Sequence, residues 1–174
     1  LKERHKCFAL VGGLAVSARG EVRFTRDVDL AVAVSDDDDA ERLVYDLHKA
    51  GYRPIASVEH ESIARLSTVR LMSPQGVKVD LLFASCGIEQ EIVARATFVD
   101  LPSIGVIPVA RAEDLVAMKV LSMTDRRLQD RIDAMHLLDL AELDLDHVRE
   151  ALRVIRERGY DRGQDLEAKL ASLR

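Results

Sequence analysis

Cys7-Phe8-Ala9-Leu10-Val11-Gly12-Gly13 and, after thirteen further residues, Asp27-Val28-Asp29-Leu30-Ala31-Val32-Ala33-Val34 frame the most informative stretch of this 174-residue chain. The first is a short apolar run closed by a glycine pair, the pattern of a strand entering a tight turn. Residues 14–19 then predict a short helix ended near Gly20. Residues 27–34 alternate acid and apolar side chains before becoming wholly apolar, as a mostly buried strand does. Downstream, Ser35-Asp36 predicts the N-cap of a helix over residues 40–50, with Leu43, Leu47 and Ala50 on one face and Gly51 as its stop. Asp36–Asp39 read as acids favoured by that helix dipole rather than as a metal site, since adjacent carboxylates on a helix diverge. Residues 63–72 and 77–84 predict two strands joined by the turn Ser73-Pro74-Gln75-Gly76. Residues 89–96 predict a helix, and 98–109 an extended segment broken at Gly105. From Ala112 onward the periodicity is helical: Leu115, Met118 and Leu121, then Leu128, Ile132 and Met135, then residues 148–158 and 166–173. The expectation is an α+β fold, with a sheet-bearing part to residue 110 and a helical part over 111–174.

On a strand, Asp27 and Asp29 share one face, with their positions ~7 Å apart. Two such anions repel each other unless a cation sits between them. Mg²⁺ takes oxygen ligands, commonly one or two carboxylates plus substrate phosphates. The glycine pair lets backbone approach a ligand closely, and a helix starting there offers N–H groups to phosphate. Asp80, in the apolar run Val77-Lys78-Val79-Asp80-Leu81-Leu82-Phe83, is a third acid. Buried, it needs a partner, either a metal or Lys78 on its own strand face.

Gly12-Gly13-Leu14-Ala15-Val16-Ser17-Ala18-Arg19-Gly20, followed by Arg23-Phe24-Thr25-Arg26-Asp27-Val28-Asp29-Leu30, resembles the signature of the polymerase-beta-like nucleotidyltransferase superfamily. The Arg-x-Thr-x-Asp-hydrophobic-Asp run is most similar to AbiEii-type toxins of bacterial toxin–antitoxin systems. The resemblance implies a nucleotidyltransferase core with a mixed β-sheet and flanking helices over residues 1–110, and a helical C-terminal portion packed on it over 111–174. It implies metal ions (two Mg²⁺, or Mn²⁺) held by Asp27, Asp29 and Asp80, with Asp80 also activating the acceptor hydroxyl. Gly12, Gly13, Ser17 and Arg26 would meet the NTP. Leu14 departs from the family, which often has a small hydroxyl residue there.

Glu113-Asp114-Leu115-Val116-Ala117-Met118-Lys119, Arg126-Arg127 and Asp130-Arg131-Ile132-Asp133 are similar to the helical Lys…Arg…Asp-x-x-Asp pattern of these toxins. If the helix is continuous, Lys119, Met123, Arg126, Asp130 and Asp133 share one face. The resemblance then gives Lys119 the triphosphate charge and Asp130 the task of orienting Lys119 or contacting base or ribose. The alternative is a solvated face carrying an Arg126–Asp130 ion pair. Arg19, Arg23 and Arg26 face triphosphate or nucleic acid, or are plain surface charge. Thr25 is a candidate regulatory hydroxyl, since a phosphate there would repel NTP, or an ordinary hydrogen-bonding group.

The implied reaction transfers a nucleotide from an NTP to RNA, with the tRNA 3′ end as acceptor and an antitoxin protein as partner. Acceptors on a partner protein or a small molecule such as an aminoglycoside are the alternatives, as is a catalytically silent binding domain. The net charge of −5 does not exclude RNA. Residues 1–26 carry +4, residues 27–110 carry −7 and residues 111–174 carry −2, so the basic surplus abuts the first acids. No apolar run is long enough for a membrane span, and residues 1–6 lack the pattern of a signal peptide. Leu1 in place of an initiator Met points to a trimmed chain or a start inside the gene. Two cysteines and no zinc spacing suit a reducing cytoplasm, with Cys7 and Cys86 expected in the core. His5, His48, His60, His136 and His147 show no ligand spacing. Three Tyr and four Phe argue against base-stacking platforms.

Overall fold

A computed structural model describes residues 1, 6–20, 25–60, 65–102 and 104–173. Arg23, His5 and the His60 side chain lie outside the described residues, as do positions 63 and 64 of the strand expected over 63–72. The chain forms β1 (Phe8–Val11), α1 (Gly12–Arg19), β2 (Asp27–Val32), α2 (Asp37–Lys49), β3 (Arg53–His60), β4 (Arg65–Met72) and β5 (Lys78–Leu82). There follow α3 (Glu89–Arg95), β6 (Thr97–Leu101), β7 (Gly105–Val109), α4 (Ala112–Ser122), α5 (Leu128–Leu138), α6 (Leu145–Glu157) and α7 (Leu166–Ala171). The strands make one mixed sheet in the order β3-β4-β5-β2-β1-β7-β6. β2 runs antiparallel to β1 and parallel to β5, so the acid-bearing strands lie side by side near its centre. The fold is the expected α+β arrangement: a mixed sheet with flanking helices and a helical C-terminus.

Pleat alternation sorts the two cores. Val32, Val69, Leu71 and Leu81, from β2, β4 and β5, point away from the acids and pack with Leu43 and Leu47 of α2. Asp36 caps α2 by accepting a hydrogen bond from the Asp39 amide at 2.8 Å, as its position before the periodic run predicts. The larger core joins Ala9, Leu10 and Val11 of β1 to Val16 of α1, Ile92 of α3, Val116 and Val120 of α4, and Leu152 and Ile155 of α6. Each buried Val, Leu or Ile among them contributes about 1.5–3 kcal/mol relative to exposure. Within this core α4 packs on α1, α5, α6 and α7.

Two expectations, a continuous helix over 119–133 and a core Cys7, need correction, and one strand goes unread. The stretch 119–133 is not one helix: it breaks between Ser122 and Leu128, and α4 and α5 pack on each other as a hairpin. Met123 is extended, at φ −64° and ψ 134°, which ends α4 without glycine or proline. Leu128, Ile132 and Met135 do recur on one helix, α5, and form an exposed stripe on it. A strand over 53–60 is absent from the sequence reading, because as an edge strand it carries Pro54 and exposed Ile55 and Val58, with two register shifts against β4. Cys7 is exposed before β1 begins, whereas Cys86 is buried as expected.

Candidate active site

The turn from β1 into α1 sets the head of the site. α1 begins at Gly12, two residues earlier than the sequence suggests, with Gly12 at φ +64°. The register places Val11 opposite Asp29, so Gly12 rides directly over the Asp29 side chain. A Cβ at Gly12 would stand 1.9 Å from Asp29 Oδ2, a separation that no side chain tolerates. Glycine here satisfies both the left-handed backbone and the close approach.

Asp29 lies level with Asp80 across the parallel β2–β5 pair, and Asp27 sits two residues back on the same face. Burial, then repulsion from Asp80 and from Asp27, pushes the Asp29 carboxyl up from 3.8 to about 6, against the opposing pull of Lys119 and of a hydrogen bond from the Gly13 amide. Lys78 is not the partner of Asp80. Arg70, level with Asp80 on the antiparallel β4, donates from Nε at 2.7 Å and from Nη2 at 2.6 Å to its two carboxylate oxygens. This fork-to-fork pair holds the Arg70 guanidinium firmly protonated.

The opposite charge balance is found on the helical hairpin. Lys119 is buried on α4, with Nζ 2.7 Å from Asp130 Oδ1 and 2.7 Å from Asp133 Oδ2, both on α5. Arg127 closes on the second Asp130 oxygen at 2.7 Å, so Asp130 pairs with Arg127 at three residues' spacing, not with Arg126 at four. Gln129 donates to the other Asp133 oxygen at 2.8 Å. The hairpin therefore brings Lys119, Asp130 and Asp133 together across two helices, not along one.

Between these walls lies a cleft of ≈ 700 Å³, within the range of small-molecule sites. Gly12, Gly13, Thr25, Asp27, Asp29, Arg70, Asp80, Lys119 and Asp130 line it, with Arg126, Arg127 and Arg162 adding cations. Ser17 and Arg26 are not among the lining residues. The Ser17 hydroxyl donates to the Gly13 carbonyl at 3.1 Å inside α1. Arg19 does not face the cleft: it donates to the carbonyls of Ala110 at 2.9 Å and Val109 at 2.7 Å, and to Thr97, tying α1 to the β6–β7 hairpin. Sequence reading misses Arg70 and Arg162 and gives Arg127 no role of its own. Arg70 is paired by strand register, and Arg162 arrives from the α6–α7 turn, so neither has a local motif to mark it.

The donor chemistry fits a divalent cation. Asp27 and Asp29 are hard oxygen donors, and the raised Asp29 carboxyl marks a place where negative charge is under-compensated. Among the described residues no three His, Cys, Asp or Glu side chains stand as a ready-made metal group. Asp80 is turned onto Arg70, so the fit is that of two carboxylates, which leaves the remaining coordination to substrate phosphate and water.

A mixed sheet that sets paired acids beside a glycine turn, above a cleft lined with cations, defines the nucleotidyltransferase class. Consistent with this, the family model described as nucleotidyl transferase AbiEii toxin, type IV TA system, matches residues 1–174. The chain belongs to that family and is a nucleotidyltransferase of the toxin–antitoxin type. No curated protein matches the sequence. Among solved structures, an antigenic nucleotidyltransferase-like protein from Paracoccidioides brasiliensis shares the fold, with TM-score 0.55 and 16% identity over 98% of this chain and 87% of that one. The antibiotic-resistance factor ANT(2″)-Ia matches at TM-score 0.49 and 14% identity, over 98% of this chain and 83% of that one. The lincosamide antibiotic adenylyltransferase LnuA, bound to lincomycin, matches at 0.46 and 16%, over 79% and 89%.

Proposed function

We propose that the cleft transfers a nucleotide from an NTP to an RNA hydroxyl, with the tRNA 3′ end as acceptor. The observation that carries this reading is the placement of Asp29 directly beneath the Gly12 turn, with Asp27 on the same face of β2. Asp27 and Asp29 would hold the cation, Mg²⁺ or in its place Mn²⁺. When bound, it neutralises phosphate charge and favours loss of pyrophosphate. Gly12 and Gly13 let the triphosphate come close to the backbone. Lys119 and Arg126 contribute positive charge, and Asp130 keeps Lys119 oriented.

Asp80 is the base. Arg70 fixes its carboxylate with one N–H to each oxygen, leaving each oxygen a lone pair for the incoming proton. The acceptor hydroxyl gives its proton to Asp80, and its oxygen bonds to the α-phosphorus. The bond from that phosphorus to the bridging oxygen breaks, and pyrophosphate leaves. The reading includes an antitoxin protein as partner, in keeping with the family, and a cytoplasmic setting where NTP and tRNA meet. Among the described residues no helix is long and apolar enough to cross a membrane.

The test supplies each of the four α-labelled NTPs with Mg²⁺ and bulk tRNA. Covalent label in tRNA, lost in Asp29→Ala while that variant stays folded, is the expected outcome. Full activity in Asp29→Ala overturns the site. Label that enters only protein or small molecules overturns the acceptor.

A further inference from the structure

The turn between α6 and α7 holds the one non-glycine residue with positive φ among those described: Arg162, at φ 56°, immediately before Gly163 at φ 67°. Left-handed backbone favours glycine or asparagine, and where another residue occupies it, a function of the side chain is the first explanation to test. The turn does not need Arg162 to stay in place. Arg158 donates to the Gly87 carbonyl and pairs with Glu91. The Tyr160 ring lies so close over Gly87 that a Cβ there would come within 2.4 Å of it. These contacts fasten the turn to the loop after β5, at the rim of the cleft.

Arg162 overhangs that cleft. Its one hydrogen bond to the protein among the described residues is a long one, from Nη2 to the Ser85 carbonyl at 3.3 Å. A guanidinium carries five N–H donors, so most of its donor capacity is directed elsewhere. Three other cleft cations differ in this respect: Arg70 is paired with Asp80, and Lys119 and Arg127 with Asp130.

We propose that Arg162 binds a phosphate of the substrates, either the triphosphate of the NTP or a phosphodiester of the acceptor, and that the α6–α7 turn exists to deliver it to the cleft. This rests on the reading of the cleft as the nucleotide-transfer site. A planar guanidinium suits bidentate recognition of phosphate oxygens.

Arg162→Gly tests it, because glycine accepts the left-handed backbone and removes only the side chain. The melting temperature is expected to stay level or rise. Binding of NTP with Mg²⁺, by calorimetry, or of bulk tRNA, by filter retention across a salt series, is expected to weaken about tenfold. Loss in the NTP arm assigns the triphosphate. Loss in the tRNA arm, with the salt slope reduced by about one, assigns an acceptor phosphate. Arg162→Gln, which retains a donor for the Ser85 carbonyl but no charge, should lose binding to the same extent. Unchanged affinity for both probes in both variants overturns the inference. If the unaltered protein binds neither probe, the reading of the cleft falls, and this inference falls with it.

Discussion

The two walls of the cleft are built on opposite charge principles. On the strand wall, Asp27, Asp29 and Asp80 face one guanidinium, that of Arg70, whose two hydrogen bonds both go to Asp80. Asp29 is left partly buried beside like charges, and its carboxyl rises to about 6. On the helix wall, Lys119 sits between Asp130 and Asp133 with Arg127 completing the set, so the buried charges nearly cancel. The difference teaches that net acidity along the sequence is a poor guide. One acidic cluster is a deficit to be filled from outside, while the other is already filled from within.

Breaking the helix wall should have the largest effect on stability. Lys119→Met leaves two buried carboxylates facing each other, and is expected to cost about 3–5 kcal/mol, read by urea denaturation. The triple variant Lys119→Met, Asp130→Leu, Asp133→Leu should regain most of that loss while remaining inactive.

On the strand wall the sign reverses. Asp29→Asn should lower nucleotide transfer by about 10³-fold yet stabilise the metal-free protein by about 2–3 kcal/mol at neutral pH. Because the folded-state carboxyl is raised above 3.8, the favourable protonated form is fully present below that value and is lost as pH rises through about 6. Melting temperatures of the metal-free protein should therefore fall relative to Asp29→Asn between pH 4 and 7. Parallel curves for the two proteins would contradict the charge-deficit account.

Arg70→Gln comes next. It releases Asp80 from its orienting fork, and about 10–100-fold of activity should go with it, mostly in kcat. Arg70→Lys should recover part, since one hydrogen bond to Asp80 can be remade. The smallest effect on stability is expected for Gly12→Asn, which tolerates positive φ but must displace the Asp29 side chain. About 1–3 kcal/mol of stability should be lost along with transfer.

The strand wall is legible in the sequence because its signals are local. Asp27 and Asp29 share a face through strand alternation alone, and Gly12-Gly13 closes an apolar run. Asp80 declares itself as an acid in apolar company. Its partner does not: nothing near Asp80 in sequence indicates Arg70, since the antiparallel register of β4 against β5 chooses it. The helix wall reads as one continuous helix because Thr124-Asp125-Arg126-Arg127 holds no glycine or proline to announce the break. Lys119, Asp130 and Asp133 of the expected single face nonetheless meet, by folding back. β3 escapes notice because an edge strand with Pro54 and exposed apolar residues lacks clean alternation. Arg162 is invisible for another reason: only the folded turn reveals both its backbone conformation and its place at the cleft.

The central claim is that the strand wall lacks a positive charge that a divalent cation, arriving with the nucleotide, supplies. It is tested most directly by melting the protein and the Asp29→Asn variant at pH 7, each alone and with Mg²⁺ plus NTP. The account predicts that Asp29→Asn raises the melting temperature of the metal-free protein, and that added Mg²⁺ and NTP raise that of the unaltered protein but not that of the variant. A variant that melts lower without metal, or that responds to Mg²⁺ and NTP as the unaltered protein does, would contradict it.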